Sequence, residues 1–415
     1  MEPDRPAGLF EQYGVELEYM VVDRDTLDVR PLVDRLFRDV TGAPTSEVEN
    51  GLITWSNELV NHVVELKVDR PVATLDGLDV PLHENVRRVN EALSRYGAIL
   101  LPTGAHPWMN PLLETQLWPN EQNEIYTLYD RIFDCRGHGW SNLQSTHLNL
   151  PFRDDDEFGR LHAAIRVLLP VIPALSASTP LLDGAVMPFR DARLETYRHN
   201  QDRIPSITGK VVPEAAFTEA EYEALIFEPM LRDVGPYDPD GILDRHFLNS
   251  RGAIARFDRH SIEIRTIDIQ ECPAADVAIL TGLVAVLKHL VAGTWVDPAA
   301  LREWSEADLS AILLDVIRDG EDALITDEGY LRLFGAKGGL RTAGNLWRHL
   351  LNEVGNGLPE RVTDCLSVIL DEGTLSTRIL RALDGDCSIE RIRSVYRPLA
   401  RCLAENTLFR VGSPA

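Results

Sequence analysis

The chain has 415 residues, 44% hydrophobic and 26% charged, and its 65 acidic against 41 basic side chains leave a formal charge of −24. A chain of this size builds a sizeable core without disulfide or metal staples, and its apolar content excludes wholesale disorder. So acidic a surface repels phosphate over most orientations, which excludes nucleic acid as the expected partner but not a nucleotide held through divalent cations and arginines.

No run of eighteen apolar residues exists, so no membrane span is expected. Met1-Glu2-Pro3-Asp4-Arg5 lacks the basic and apolar regions of a signal peptide, and a cytoplasmic location is expected. The five cysteines, Cys135, Cys272, Cys365, Cys387 and Cys402, form no CxxC pair and fit free thiols. Lysine is confined to Lys67, Lys210, Lys288 and Lys337, none of them in a GxxxxGK[ST] phosphate loop. Gly335-Ala336-Lys337-Gly338-Gly339 resembles such a loop in composition only.

In chain order, Tyr13 to Val22 is a predicted strand, with Val15, Leu17, Tyr19 and Val21 alternating against Glu16, Glu18 and Met20. A β-rich stretch runs from Leu59 to Val68, and Leu82 to Tyr96 has helical spacing. Ala98 to Pro102 is a short buried strand; Asn123 to Phe133 is helical; Asn142 to Leu150 is a strand stopped by Pro151. Asp154 to Ser176 is a helix entered through an acidic turn and broken near Pro170 and Pro173. Asp183 to Pro213, rich in Arg, Pro and Gly, is a long loop of the kind that carries function. Ala253 to Phe257 and Ser261 to Ile269 form a hairpin, and Ala274 to Leu408 is mostly helical. This order favours an α+β fold over a doubly wound sheet. We expect one catalytic unit over residues 1–415, with a strand-rich core at 10–273 and a helical subdomain at 274–415.

The informative feature is charge placed inside strands. Glu16 and Glu18 are two apart and share a sheet face, and Glu263 and Arg265 repeat the geometry opposite Ile262 and Ile264. Glu65 sits in Val63-Val64-Glu65-Leu66, and His147 and Asn149 alternate with Leu148 and Leu150. One such strand is an ordinary half-wet antiparallel strand. Four of them suggest crowded carboxylates with hard divalent ions between them. The seven-residue spacing puts Glu58 and Glu65 on opposite faces of a regular strand, so either a bulge intervenes or Glu58 lies ahead of it.

Tyr13-Gly14-Val15-Glu16-Leu17-Glu18 resembles the opening motif of the glutamate–cysteine ligase family 2, the carboxylate–amine ligases. Further segments follow in the family's order: Glu58 to Glu65, Leu101 to Pro107, Leu143 to His147, Leu175 to Pro180, and Ser261 to Asp268. The resemblance spans roughly residues 10 to 290. It implies a curved antiparallel sheet of glutamine synthetase type with flanking helices, holding ATP and Mg²⁺ or Mn²⁺. By position it makes Glu16, Glu18, Glu65, His147 and Glu263 metal ligands, and Glu58 stands where related ligases carry an acidic residue.

Asp191-Ala192-Arg193-Leu194-Glu195-Thr196-Tyr197-Arg198 resembles the family's arginine loop. The implied chemistry activates a carboxylate as an acyl phosphate, which an amine then attacks, while arginines grip the transferring phosphoryl group. Arg198 and Arg265 are placed nearest that step, and Arg193 is a substrate or nucleotide contact. His106 is either a substrate contact or a structural hydrogen-bonding residue. Glutamate as the acid, cysteine or another small amine as acceptor, and a homodimer are implied by the family alone. Two alternatives stand beside this reading. One is the same site with a different carboxylate or acceptor, and the other is a catalytically silent homologue that binds nucleotide or amino acid.

Overall fold

The computed structural model describes residues 5–121, 123–336 and 338–412. Lys337 of the glycine-rich segment and residues 1–4 of the N-terminal reading lie outside them.

The strands are β1 (Gly14–Asp23), β2 (Glu47–Asn50), β3 (Ile53–Asn57), β4 (Val63–Val68), β5 (Ala98–Leu101), β6 (Ser145–Pro151), β7 (Leu181–Leu182), β8 (Ala185–Val186), β9 (Ala253–Arg256) and β10 (Ser261–Asp268). Eight of them form one sheet in the order β2-β3-β4-β1-β6-β10-β9, with β5 beside the C-terminal end of β1; β7 and β8 make a separate two-stranded ribbon. Every pairing in the large sheet is antiparallel. The fold is therefore α+β, as expected.

Alternation fixes which face is which. Val15, Leu17, Tyr19 and Val21 are wholly buried, as are Leu148, Leu150, Ile262 and Ile264 on the neighbouring strands. Each such side chain contributes roughly 1.5–3 kcal/mol by leaving water. A one-residue slip of β1 would exchange them for Glu16 and Glu18, so the register is strongly specified.

Helices Asp79–Leu93, Asp155–Leu168 and Pro273–Val291 pack together among these apolar residues in one continuous core. The Asp154 carboxylate caps the second helix at Glu157 N, 3.0 Å away, and three acids fill its first turn. Pro273–Val291 has the length and apolarity of a membrane span, with a mean hydropathy of 1.8 over its best window, yet 72% of that window is buried inside the fold. It is a core helix. The last helices, Leu375–Leu383 and Ile389–Glu405, close a second apolar cluster with Met20, Val22, Leu101 and Met109.

Of the two alternatives for Glu58, the structure shows the second: β4 begins at Val63, so Glu58 lies ahead of the strand. Other elements differ from expectation. β2 and β3 form a hairpin turned at Gly51 (φ 76°), and Val33–Thr41 is a helix ended by Gly42 at φ 81°. The long loop is not continuous: Ala192–Tyr197 is a helix whose first turn is capped by the Asp191 carboxylate at Leu194 N, 2.8 Å away.

Candidate active site

The charged residues of four strands converge on a cleft of about 820 Å³ on the sheet face opposite the three core helices. The register shows how. Glu18 stands opposite Glu65 of β4, Glu16 opposite His147 of β6, and Asn149 opposite Glu263 of β10. Neighbouring strands lie about 4.8 Å apart. The register alone therefore stacks these side chains in a band across the cleft floor.

Two groups within the band have ligand atoms within 4.8 Å of one another: Glu16, Glu65 and His147, and Glu18, Glu58 and Glu65. Glu65 belongs to both. His147 Nδ1 lies 2.9 Å from Glu16 Oε2, and its Nε2 lies 2.8 Å from Ser145 Oγ. Ser145 in turn donates to Glu18 from its hydroxyl (2.9 Å) and its backbone N–H (2.7 Å). Asn149 Nδ2 donates to Glu16 at 3.0 Å, and the Ser56 hydroxyl donates to Glu65.

The electrostatics follow from crowding. Burial raises Glu58 well above the usual carboxylate range, and the charges of Glu18 and Glu65 raise it further. Burial and then Glu16 raise Glu65 likewise, against the pull of Lys67. Burial alone would raise Glu16 and lower His147, but their shared hydrogen bond reverses both, so Glu16 falls and His147 rises. These oxygen donors with one imidazole suit a hard divalent cation such as Mg²⁺ or Mn²⁺. Held by these residues, such a cation would supply the positive charge that a phosphate group needs.

Glu263 sits apart from both groups. Arg256 holds one carboxylate oxygen through Nε (3.1 Å) and Nη2 (3.0 Å), and Arg265 holds the other. Burial would raise Glu263, but Arg265 and then Arg256 outweigh it and keep it far below the usual range. The family-implied ligand is thus the anchor of an arginine pair, with His147 Nδ1 3.9 Å away. Beyond Ile264 the strand bulges: Ile264 faces Leu148 but Ile267 faces Thr146, so β10 carries one extra residue. The bulge leaves Ile267 wholly buried in the core and sets Asp268 opposite Ser145.

Arg193 lines the cleft, yet its guanidinium is 1% exposed and paired with Asp268. The other Asp268 oxygen accepts from Ser178 N (2.8 Å), Ser178 Oγ (3.2 Å) and Thr179 Oγ1 (2.9 Å). Gly104 passes so close that a Cβ would lie 2.7 Å from Asp268 Cγ. The segments around Gly104 and Ser178 therefore serve this one buried pair.

The structure does not bring Arg198 or His106 to the cleft. Arg198 turns back on its own helix and grips Glu195 at 2.7 and 2.8 Å. His106 is buried, with Nε2 2.7 Å from the Leu27 carbonyl oxygen, and burial lowers its pKa to about 4. Cys135 is wholly buried, which pushes its thiol up, and the neighbouring Arg136 pairs with Asp134. His138 pairs with Asp183 at 3.1 Å, while its neighbours Gly139 and Trp140 line the cleft. Residues the sequence did not single out are Ser56, Lys67, Ser145, Arg256 and Asp268, together with a ring of aromatic side chains at one end. Ser145 sits two residues before His147, a spacing that was readable; the others depend on strand pairing.

The model of the glutamate–cysteine ligase family 2 matches residues 12–398. An uncharacterized protein of Archaeoglobus fulgidus is 32% identical over 402 residues, covering 95% of this chain and 99% of its own. A Salinispora tropica protein provisionally named glutamate–cysteine ligase 2 is 25% identical over 385 residues, covering 89% and 90%. Among solved structures, the glutamate–cysteine ligase of Francisella tularensis in complex with AMP superposes with a TM-score of 0.60 at 12% identity, over 96% of this chain and 90% of that one. That likeness shows the fold. With the match running through nearly the whole sequence, the chain belongs to the glutamate–cysteine ligase family 2 and is an ATP-dependent ligase that forms carbon–nitrogen bonds.

Proposed function

We propose that the cleft activates the γ-carboxylate of glutamate with ATP and couples it to a small amine, giving a γ-glutamyl amide. The observation that carries this reading is the pair of carboxylate groups sharing Glu65, set beside the Arg256–Glu263–Arg265 cluster. Hard cations at the two groups would supply the charge that draws the triphosphate in. Arg265, fixed by Glu263, presents a rigid guanidinium to the transferring phosphoryl group. The substrate carboxylate attacks the γ-phosphorus, ADP leaves, and the resulting acyl phosphate is open to the amine. Ser145 holds Nε2 and Glu16 faces Nδ1, so His147 must give up its Nδ1 proton before it could join Glu16 as a ligand. Arg193, fixed by Asp268, orients the wall rather than moving with the reaction. The core shared by the sheet and the helices after residue 273 supports one catalytic unit.

The test is to incubate the protein with ATP, Mg²⁺, glutamate and a panel of amines, following ADP and product mass together. A mass of glutamate plus amine minus water, in step with ADP, is expected. ADP without any amide would replace the ligase reading with a different acceptor chemistry, and neither product would favour the silent homologue.

A further inference from the structure

The cleft has two chemically different ends, one on each side of the carboxylates. At one end lie Gly14 of β1, Val68 of β4, Pro151 of β6 and Ser261 of β10, and the wall carries Lys67, Arg256, Arg259 and His260. At the other end Tyr126, Tyr129, Trp140 and Phe247 line the wall with Leu59 and Leu143.

The aromatic end is built rather than incidental. Tyr129 is its hub, with ring centroids 5.4 Å from Trp140 at 67° and 5.3 Å from Phe247 at 71°, both edge-to-face. The Tyr129 hydroxyl donates to the Phe247 carbonyl oxygen at 3.2 Å, and the Tyr197 hydroxyl to that of Ser250 at 2.9 Å. Those phenols are occupied, so their rings rather than their hydroxyls are offered to the cleft. Phe247 keeps 41% of its surface exposed at this rim, an apolar ring left in water. Two buried donors here have no hydrogen-bond acceptor among the described residues: Trp140 Nε1 and Arg193 Nη2. Unmet buried donors are costly, and the carboxylate of glutamate or of an amino-acid acceptor would satisfy them.

A triphosphate needs a polar wall with cations in reach, which Lys67, Arg256 and Arg259 offer beside Asp69 and Asp258 and the rings of Tyr126, Tyr129, Trp140 and Phe247 do not. That leaves the aromatic end to glutamate and the acceptor amine, with the unmet Arg193 and Trp140 donors suited to a carboxylate and the rings to an apolar side chain. We propose that this wall binds the acceptor amine and selects one with a flat apolar side chain, an arylalkylamine or an aromatic amino acid. The inference rests on the ligase reading and names its acceptor class. In the step itself the neutral amine nitrogen forms the C–N bond. The acyl C–O bond breaks with its electrons leaving on phosphate, and one N–H proton is released.

The experiment compares phenylethylamine, phenylalanine, cysteine and putrescine as acceptors with ATP, Mg²⁺ and glutamate. The aryl acceptors should exceed cysteine in kcat/KM by ~10-fold or more, in keeping with what an apolar pocket discriminates. W140A and F247A should raise the KM of the aryl amine by ~10-fold while the KM of ATP stays within about twofold. A preference for cysteine or putrescine overturns the proposal. So does a rise in the KM of ATP in the variants, which would place adenine on the wall. If no acceptor yields an amide, the γ-glutamyl reading rather than the wall is at fault, and calorimetric titration of phenylethylamine into wild type and W140A decides the wall separately. Binding lost in the variant would sustain an aryl-amine site, and no binding to the wild type would end it.

Discussion

Asp268 is wholly buried and Glu58 partly so, both beside the same sheet, and the fold treats them oppositely. Asp268 receives the Arg193 guanidinium, two hydroxyls and a backbone N–H. Glu58 receives no donor among the described residues and faces Glu18 and Glu65 instead. A buried charge that is fully paired is a structural joint, costly to break on either side. A cluster left under-neutralised must either take up protons or draw positive charge from outside the chain. The difference separates residues that hold the cleft from residues that use it.

The largest effect should come from Glu65, the ligand shared by both groups. E65Q is expected to cost on the order of 10³-fold in kcat, equivalent to the several kcal/mol a bound cation supplies. Its metal-free melting temperature should hold or rise, because a crowded carboxylate has been removed; a fall would make Glu65 a structural residue. D268N should do the reverse. It strands Arg193 and should lower unfolding free energy by about 3–5 kcal/mol in urea titrations. Equal stability in this variant would undo the contrast drawn above. G104A pushes a Cβ into the Asp268 carboxylate and should cost about 1–3 kcal/mol, measurable by the same titrations.

A smaller, pH-dependent effect follows from Glu58 and Glu65, whose folded pKa values lie above their ordinary 4.5. For raised carboxyl groups, the stability they confer is complete below pH 4.5 and drains away as pH climbs towards the folded values. Chelated protein should therefore lose melting temperature from pH 5 upward, and the stabilisation by Mg²⁺ should grow over the same range. A Mg²⁺ shift independent of pH would mean that the cation binds elsewhere.

Much of this was legible in the sequence, for a physical reason. Strands that bury one face announce it through period-two alternation, so β1, β6 and the β9–β10 hairpin were found, and with them Glu16, Glu18, His147 and Glu263. β2 and β3 were missed although Asn50-Gly51 is a hairpin signal between β-branched residues. What the sequence hides is pairing at a distance. Arg193 finds Asp268 across 75 positions, and nothing local marks either as a partner. The bulge after Ile264 is a property of two strands together, so Asp268 could not be placed from β10 alone. Arg198 stands five residues beyond Arg193, but it follows a short helix that turns it onto Glu195. The aromatic wall gathers rings from Tyr126, Tyr129, Trp140 and Phe247, which share a surface only after folding.

In the proposed reaction the cleft floor is a two-cation centre organised by Glu65. The most direct measurement counts Mn²⁺ bound per chain by electron paramagnetic resonance, in wild type and E65Q, with a non-hydrolysable ATP analogue present. The account predicts two ions on the wild type and a loss of tight binding at both groups in the variant. A wild type that binds none, or a variant that binds as the wild type does, would contradict it.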